Sequence, residues 1–241
     1  MKEEVIALFY PMFFWDATYI FVIIGAVLSL IAQANVSRTF NKYSQIATRS
    51  GITGRDAAQL MLNRNSIHSV QIEPVRGNLT DHYNPREMKL ALSEPVYGSK
   101  SIAAVGVAAH ECGHAIQHDQ QYGPLMLRSA LVPVTNIGST LSIPILIIGM
   151  LLNSSTGDLF IQIGLIAFSL TTVFTLITLP VEFNASKRAL AILDQNNVLT
   201  AEELAGTKKV LNAAAMTYVA AAAASILQLL RLLLIARGRR R

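Results

Sequence analysis

Four long apolar segments constrain this chain more than any other feature. They run over residues 17–34, 131–152, 159–179 and 210–236. A helix of about 20 apolar residues rises far enough to cross the hydrocarbon core of a bilayer. The second and third segments reach that length with no charge inside them. The first is slightly short, and Phe13, Phe14, Trp15 and Tyr19 are placed to act as an aromatic belt beside it. The fourth contains Arg231 and an alanine run over 220–224, so the pattern leaves open whether it crosses the membrane or lies along its face. Composition points the same way. Only 15% of the 241 residues are charged and 52% are hydrophobic, whereas soluble domains carry about 25% charged residues.

The positive charges set an orientation. Residues 35–130 hold Arg38, Lys42, Arg49, Arg55, Arg64, Arg76, Arg86, Lys89, Lys100 and Arg128, and residues 181–209 hold Lys187, Arg188, Lys208 and Lys209. The loop over 153–158 holds none. Connections rich in Lys and Arg stay in the cytoplasm, so both long connections are expected inside and the short loop outside. The net charge of +5 is spread along the flanks of apolar segments rather than gathered in one patch, which speaks against a nucleic-acid partner and for the lipid bilayer. Cys112 is the single cysteine, excluding an intrachain disulfide and fitting a reducing compartment. Lys2 is followed by two glutamates and no small-residue cleavage site follows the apolar run, so the N-terminal segment is expected to be a retained anchor.

Between the first two apolar segments lies a stretch with ordinary soluble patterning. A helix is predicted over 53–63 with Thr53 as N-cap, a strand over 70–75, a turn at Gly77-Asn78, and a second extended piece over 90–97. Residues 102–118 then read as one helix, and this helix carries His110-Glu111-Cys112-Gly113-His114. Histidines four residues apart lie on one helix face, so their rings can reach a single ion. Zinc accepts imidazole and carboxylate and keeps one position open for water in catalytic sites. Glu111, directly after the first histidine, is placed to take a proton from a metal-activated water and return it to a leaving amine. With 5 histidines in the chain, the pattern arises by chance about 0.4% of the time, so it is read as a catalytic zinc site and not as packed core histidines.

A third ligand is required. His118 is one further helical step along, but it stands about 12 Å from His110 on the axis, and no break precedes it. Glu182 is the better candidate. It follows Pro180 at the cytoplasmic end of the third segment, where an isolated carboxylate is costly. Cys112 lies on the opposite side of the helix and is expected to pack. Gly113 is expected to admit a close neighbour. His82 and Tyr83 are possible oxyanion donors, and residues 93–97 a possible edge strand for substrate. Arg231 is expected to snorkel or to meet a lipid head group.

The motif His110-Glu111-Cys112-Gly113-His114-Ala115, followed by Glu182-Phe183-Asn184-Ala185, resembles the membrane zinc metallopeptidases of the YugP type. These are similar to the HtpX-type gluzincin peptidases. Asp81-His82-Tyr83-Asn84-Pro85, Val96-Tyr97 and the alanine-rich fourth segment share the likeness. The resemblance implies a gluzincin site with Glu182 as third ligand. The gluzincin pattern carries Asp where this chain has Ser186, which leaves open how the histidines are oriented.

The expected fold is a mainly α membrane protein: transmembrane helices plus a small α+β zincin-like cytoplasmic metallopeptidase domain. Residues 1–34 form the anchor, 35–130 the catalytic region, 131–180 a transmembrane hairpin, 181–209 a cytoplasmic helix with the third ligand, and 210–241 an apolar helix with a basic tail. The expected activity is zinc-dependent endoproteolysis with one Zn²⁺ held by His110, His114 and Glu182. Glu111 is the general base, and peptides or membrane proteins are the substrates. Intramembrane proteolysis and a non-catalytic metal-binding scaffold are the alternatives at this point.

Overall fold

The computed structural model describes residues 16–152 and 154–239. Its elements in order are α1 (Tyr19–Ser44), α2 (Gly54–Arg64), β1 (Gln71–Val75), β2 (His82–Asn84), β3 (Lys89–Ser93), α3 (Glu94–Tyr97), α4 (Ile102–Asp119), α5 (Gly123–Leu151), α6 (Ser155–Gln195) and α7 (Ala201–Arg239). Helices α1, α5, α6 and α7 are each long and apolar enough to cross a membrane. The fourth apolar segment, ambiguous in sequence, is therefore continuous with a helix of spanning length. The chain divides into two compact units, residues 1–31, 131–176 and 219–241 in one and residues 32–130 and 177–218 in the other.

The first unit is helical. Its buried cluster is small, centred on Leu146, Ile161 and Leu232. Gly25 lets α1 approach α7 closely, since a Cβ there would lie 3.0 Å from the Ala224 Cβ; small residues at helix crossings are the usual device where lipid is the solvent. The Thr175 and Ser225 hydroxyls meet at 2.9 Å between α6 and α7. Arg231 corrects an expectation. It is 8% exposed, and its guanidinium sits over the Tyr19 ring at 5.4 Å. The cation thus faces an aromatic ring within its own unit, where snorkelling or a lipid head group was expected. Tyr19 is accordingly occupied with Arg231, while Phe13, Phe14 and Trp15 lie outside the described residues.

The second unit is an α+β body around α4. Ser101 caps that helix by accepting from the Ala104 N–H. Ala103, Ala104, Val105, Ala108, Ala109, Cys112, Ala115 and Ile116 are all buried. A helix apolar nearly all round belongs inside a core, and its small side chains let neighbours close in on every side. α2 packs against it through the buried face of Ala57, Ala58, Met61 and Leu62, with Thr53 as N-cap as the sequence predicts. The sheet has order β1-β3-β2, with β1 parallel and β2 antiparallel to β3.

Two sequence expectations fail here. The extended piece predicted over 90–97 ends at Ser93, and Glu94–Tyr97 is a helical turn, started by Pro95 in its first positions where a missing N–H costs nothing. Residues 93–97 are therefore not an edge strand, and β3 is the central strand. The helix expected separately over 181–209 is divided between two elements. Pro180 does not end α6, which runs on through Glu182 to Gln195, and α7 begins at Ala201.

Candidate metal centre

α4 brings His110 and His114 to one face, and the second-unit part of α6 lays Glu182 across them. Gly113 makes this approach possible. A Cβ there would stand 2.5 Å from the Ala185 carbonyl oxygen, so any other residue would push α6 away from the motif. The donor atoms of His110, His114 and Glu182 all lie within 4.8 Å of one another. Glu182 Oε2 is 3.3 Å from His110 Nε2 and 3.6 Å from His114 Nε2. Good hydrogen bonds are shorter. These separations match the edge of a tetrahedron, about 3.3–3.6 Å for ligands at zinc distances.

Two further observations fit a cation at this point. The Glu182 side chain is 2% exposed, yet its Oε2 has no hydrogen-bond partner; a buried carboxylate oxygen without one is expensive unless a cation meets it. Burial disfavours charge on the His114 ring, but Glu182, Glu111 and Gln117 outweigh it and raise its pKa above the ordinary histidine value. The site draws positive charge into a buried place. His₂Glu is the donor set of catalytic zinc, and these residues fit that ion.

Both imidazoles are oriented from behind. His110 Nδ1 lies 3.1 Å from Ser186 Oγ. His114 Nδ1 lies 3.0 Å from Gln117 Oε1, and the Gln117 amide in turn donates to the Val181 carbonyl and to Asn184 Oδ1. With Nδ1–H donating in each ring, both Nε2 lone pairs face the cluster. Ser186 thus stands where the gluzincin pattern has Asp, and supplies a neutral acceptor. Gln117 was missed in the sequence although its position, one turn past His114, places it on the same face. Arg128 was also missed; its Nη1 is 3.5 Å from Glu182 Oε1. Nothing local in the sequence marks it.

Glu111 is buried and, with His110 and Glu182, lines a cavity of about 260 Å³. The other walls are mainly apolar, including Val36, Val107, Val210 and Leu211, and Tyr218 joins them from α7. The cavity places Glu111 beside His110 and Glu182.

The remaining candidates are elsewhere. Cys112 is fully buried and directed at the Ala58 carbonyl, and burial, followed by the Glu111 charge, pushes its thiol pKa up, so it packs as expected. His118 is not in the cluster: its Nδ1 meets the Tyr83 hydroxyl at 2.9 Å, tying the end of α4 to β2. Burial, then the Asp119 charge, raises the Tyr83 pKa. His82 Nδ1 is against the Thr80 carbonyl at the surface. Neither His82 nor Tyr83 lines the cavity.

Such a site, a His₂Glu cluster built on HExxH with a carboxylate from a later helix, is that of a metallopeptidase. The chain belongs to the family described as "Putative neutral zinc metallopeptidase", whose model matches residues 18–237. It is 47% identical over 218 residues to the "Putative membrane protease YugP" of Bacillus subtilis (strain 168), covering 90% of this chain and 96% of that one. No solved structure matches it.

Proposed function

We propose that the protein is a zinc-dependent endopeptidase of the cell membrane, cutting polypeptides at or near the bilayer on the cytoplasmic side. The observation that carries this reading is the buried Glu182 carboxylate, whose Oε2 faces the Nε2 atoms of both imidazoles at ligand-to-ligand distances. His110, His114 and Glu182 would hold one zinc ion, which would supply Lewis acidity and a water that gives up its proton near neutrality. Glu111 accepts the proton of that water as it attacks the peptide carbonyl, and then passes it to the leaving nitrogen. Ser186 and Gln117 keep the rings aimed. The apolar walls of the cavity select a substrate with an apolar side chain beside the scissile bond.

Intramembrane cleavage fits less well. The helix that carries the motif, α4, is not among the four apolar helices. A purely structural metal site has no use for Glu111, which speaks against the scaffold reading.

The test is zinc content and hydrolysis of an unfolded protein by the full chain in detergent, beside Glu111→Gln. The variant should keep its zinc and lose about 10²–10⁴-fold in turnover. Wild-type activity in Glu111→Gln refutes the assigned base, and a wild-type protein without zinc refutes the metal. Sidedness is tested separately by reporters at Gly77 and Gly157, which should fall on opposite faces, with Gly77 inside. Gly77 outside overturns the orientation.

A further inference from the structure

With neither His82 nor Tyr83 in the cavity wall, the proposed reaction has no side-chain donor assigned to the attacked carbonyl oxygen beside the Lewis acidity of the metal. Such a group is worth a large factor in catalysis, because a fixed donor in a water-poor site needs no reorganisation as charge develops. Besides the two histidines, Arg128 and Tyr218 meet Glu182 among the described residues. Arg128 is committed to Oε1, and it does not line the cavity. Tyr218 does line the cavity, in company with Glu111, His110 and Glu182, and its hydroxyl is directed at the Glu182 carboxylate. A phenol is neutral at physiological pH and offers one O–H donor.

We infer that Tyr218 is a catalytic residue, the hydrogen-bond donor to the oxyanion of the tetrahedral intermediate. This rests on the peptidase reading above. Before substrate enters, the phenol hydrogen is held by Glu182. When the substrate carbonyl occupies the cavity, the phenol turns from the carboxylate to the carbonyl oxygen, and the bond strengthens as that oxygen becomes charged. No proton leaves Tyr218. The proton of the attacking water goes to Glu111 and from there to the amine, so the donor is unchanged at the end of the cycle. Tyr218 lies seven residues past Leu211, another cavity residue, two turns along the same face of α7. The helix therefore presents both the apolar wall and the donor.

The alternative is that Tyr218 only steadies Glu182 as a ligand. The two roles separate in Tyr218→Phe, which removes one hydrogen-bonding group and leaves the ring. The full chain is compared in detergent by three measurements. These are kcat and KM on a fluorescence-quenched peptide that the wild type cleaves, zinc affinity by chelator competition, and calorimetric binding of a phosphinic pseudopeptide of the same sequence. Tyr218→Phe should lower kcat about 10²-fold and weaken the phosphinic mimic, with KM and zinc affinity within twofold of wild type. Arg128→Ala should weaken zinc affinity. Zinc affinity falling in step with kcat in Tyr218→Phe makes Tyr218 a positioning residue and overturns the assignment. So does unchanged kcat, or a loss confined to kcat in Arg128→Ala. A wild type that binds zinc but cleaves no peptide defeats the peptidase reading itself, and this assignment with it.

Discussion

One unit hides its large apolar side chains and the other displays them. In the second unit Met61, Leu62, Leu90 and Leu92 are fully buried around α4. In the first, Leu30, Ile31, Ile137 and Ile166 are each more than 60% exposed, and three residues make up the buried cluster. The contrast is one of solvent. Where water surrounds a fold, apolar surface is driven inward; where lipid does, the tails are as apolar as leucine, and small-residue contacts and hydroxyl pairs hold helices together instead. The second unit, with a closed core, can afford a charged cluster inside it. Glu182 is the clearest case.

The strongest way to break that contrast is to ask whether Glu182 is buried for the ion or for the fold. Glu182→Ala should empty the site and abolish turnover, read as zinc per chain and peptide hydrolysis, while His118→Ala keeps its zinc. A full site in Glu182→Ala, with His118→Ala empty, would mean that α4 breaks after Ala115 and that the third ligand has been misassigned.

Next in size is the packing difference itself. Leu90 is fully buried in the central strand and Ile137 is 64% exposed on α5. Leu90→Ala should cost about 2–5 kcal/mol, whereas Ile137→Ala should stay within about 0.5 kcal/mol. Unfolding by denaturant in detergent measures both. Equal costs would mean that the exposed face of α5 is covered by protein rather than lipid.

The two units were also unequally legible in sequence. Membrane helices announce themselves by length and composition, so all four apolar segments were found, with ends short by up to sixteen residues. The errors came where context overrode a local signal. Pro180 looked like a terminator, yet α6 continues through it, as spanning helices do when neighbours and side chains re-satisfy the freed carbonyl. Residues 94–97 looked extended because Pro95, Val96 and Tyr97 favour strands or breaks, but a proline at the first turn suits a helix. Within the site, His110, Glu111 and His114 are fixed by helical spacing alone. Glu182 needed the resemblance and the topology, because two apolar segments separate it from His114. Ser186 was marked by its place four residues past Glu182, where the gluzincin pattern has Asp, but Arg128 and Tyr218 enter the site through tertiary packing between helices distant in sequence, and no spacing rule reaches them.

The smallest of these effects concerns the groups behind the ligands. Ser186 is 7% exposed, and its hydroxyl faces His110 Nδ1 at 3.1 Å. The first-unit hydroxyls, such as Thr175 and Ser225, pair with each other across helices and have no ligand to aim. Ser186→Ala removes the acceptor for the Nδ1 hydrogen. The ring is then free to turn, and Nδ1–H is left buried without a partner. Zinc affinity should fall about 10–100-fold, equivalent to about 1.4–2.7 kcal/mol, with global stability nearly unchanged because the side chain loses one oxygen and no packing carbon. Ser225→Ala, made as the counterpart, should leave zinc affinity at the wild-type value. Chelator competition distinguishes them. If both variants bind zinc as tightly as wild type, the neutral acceptor at 186 does not orient His110, and packing against α6 alone must hold the ring.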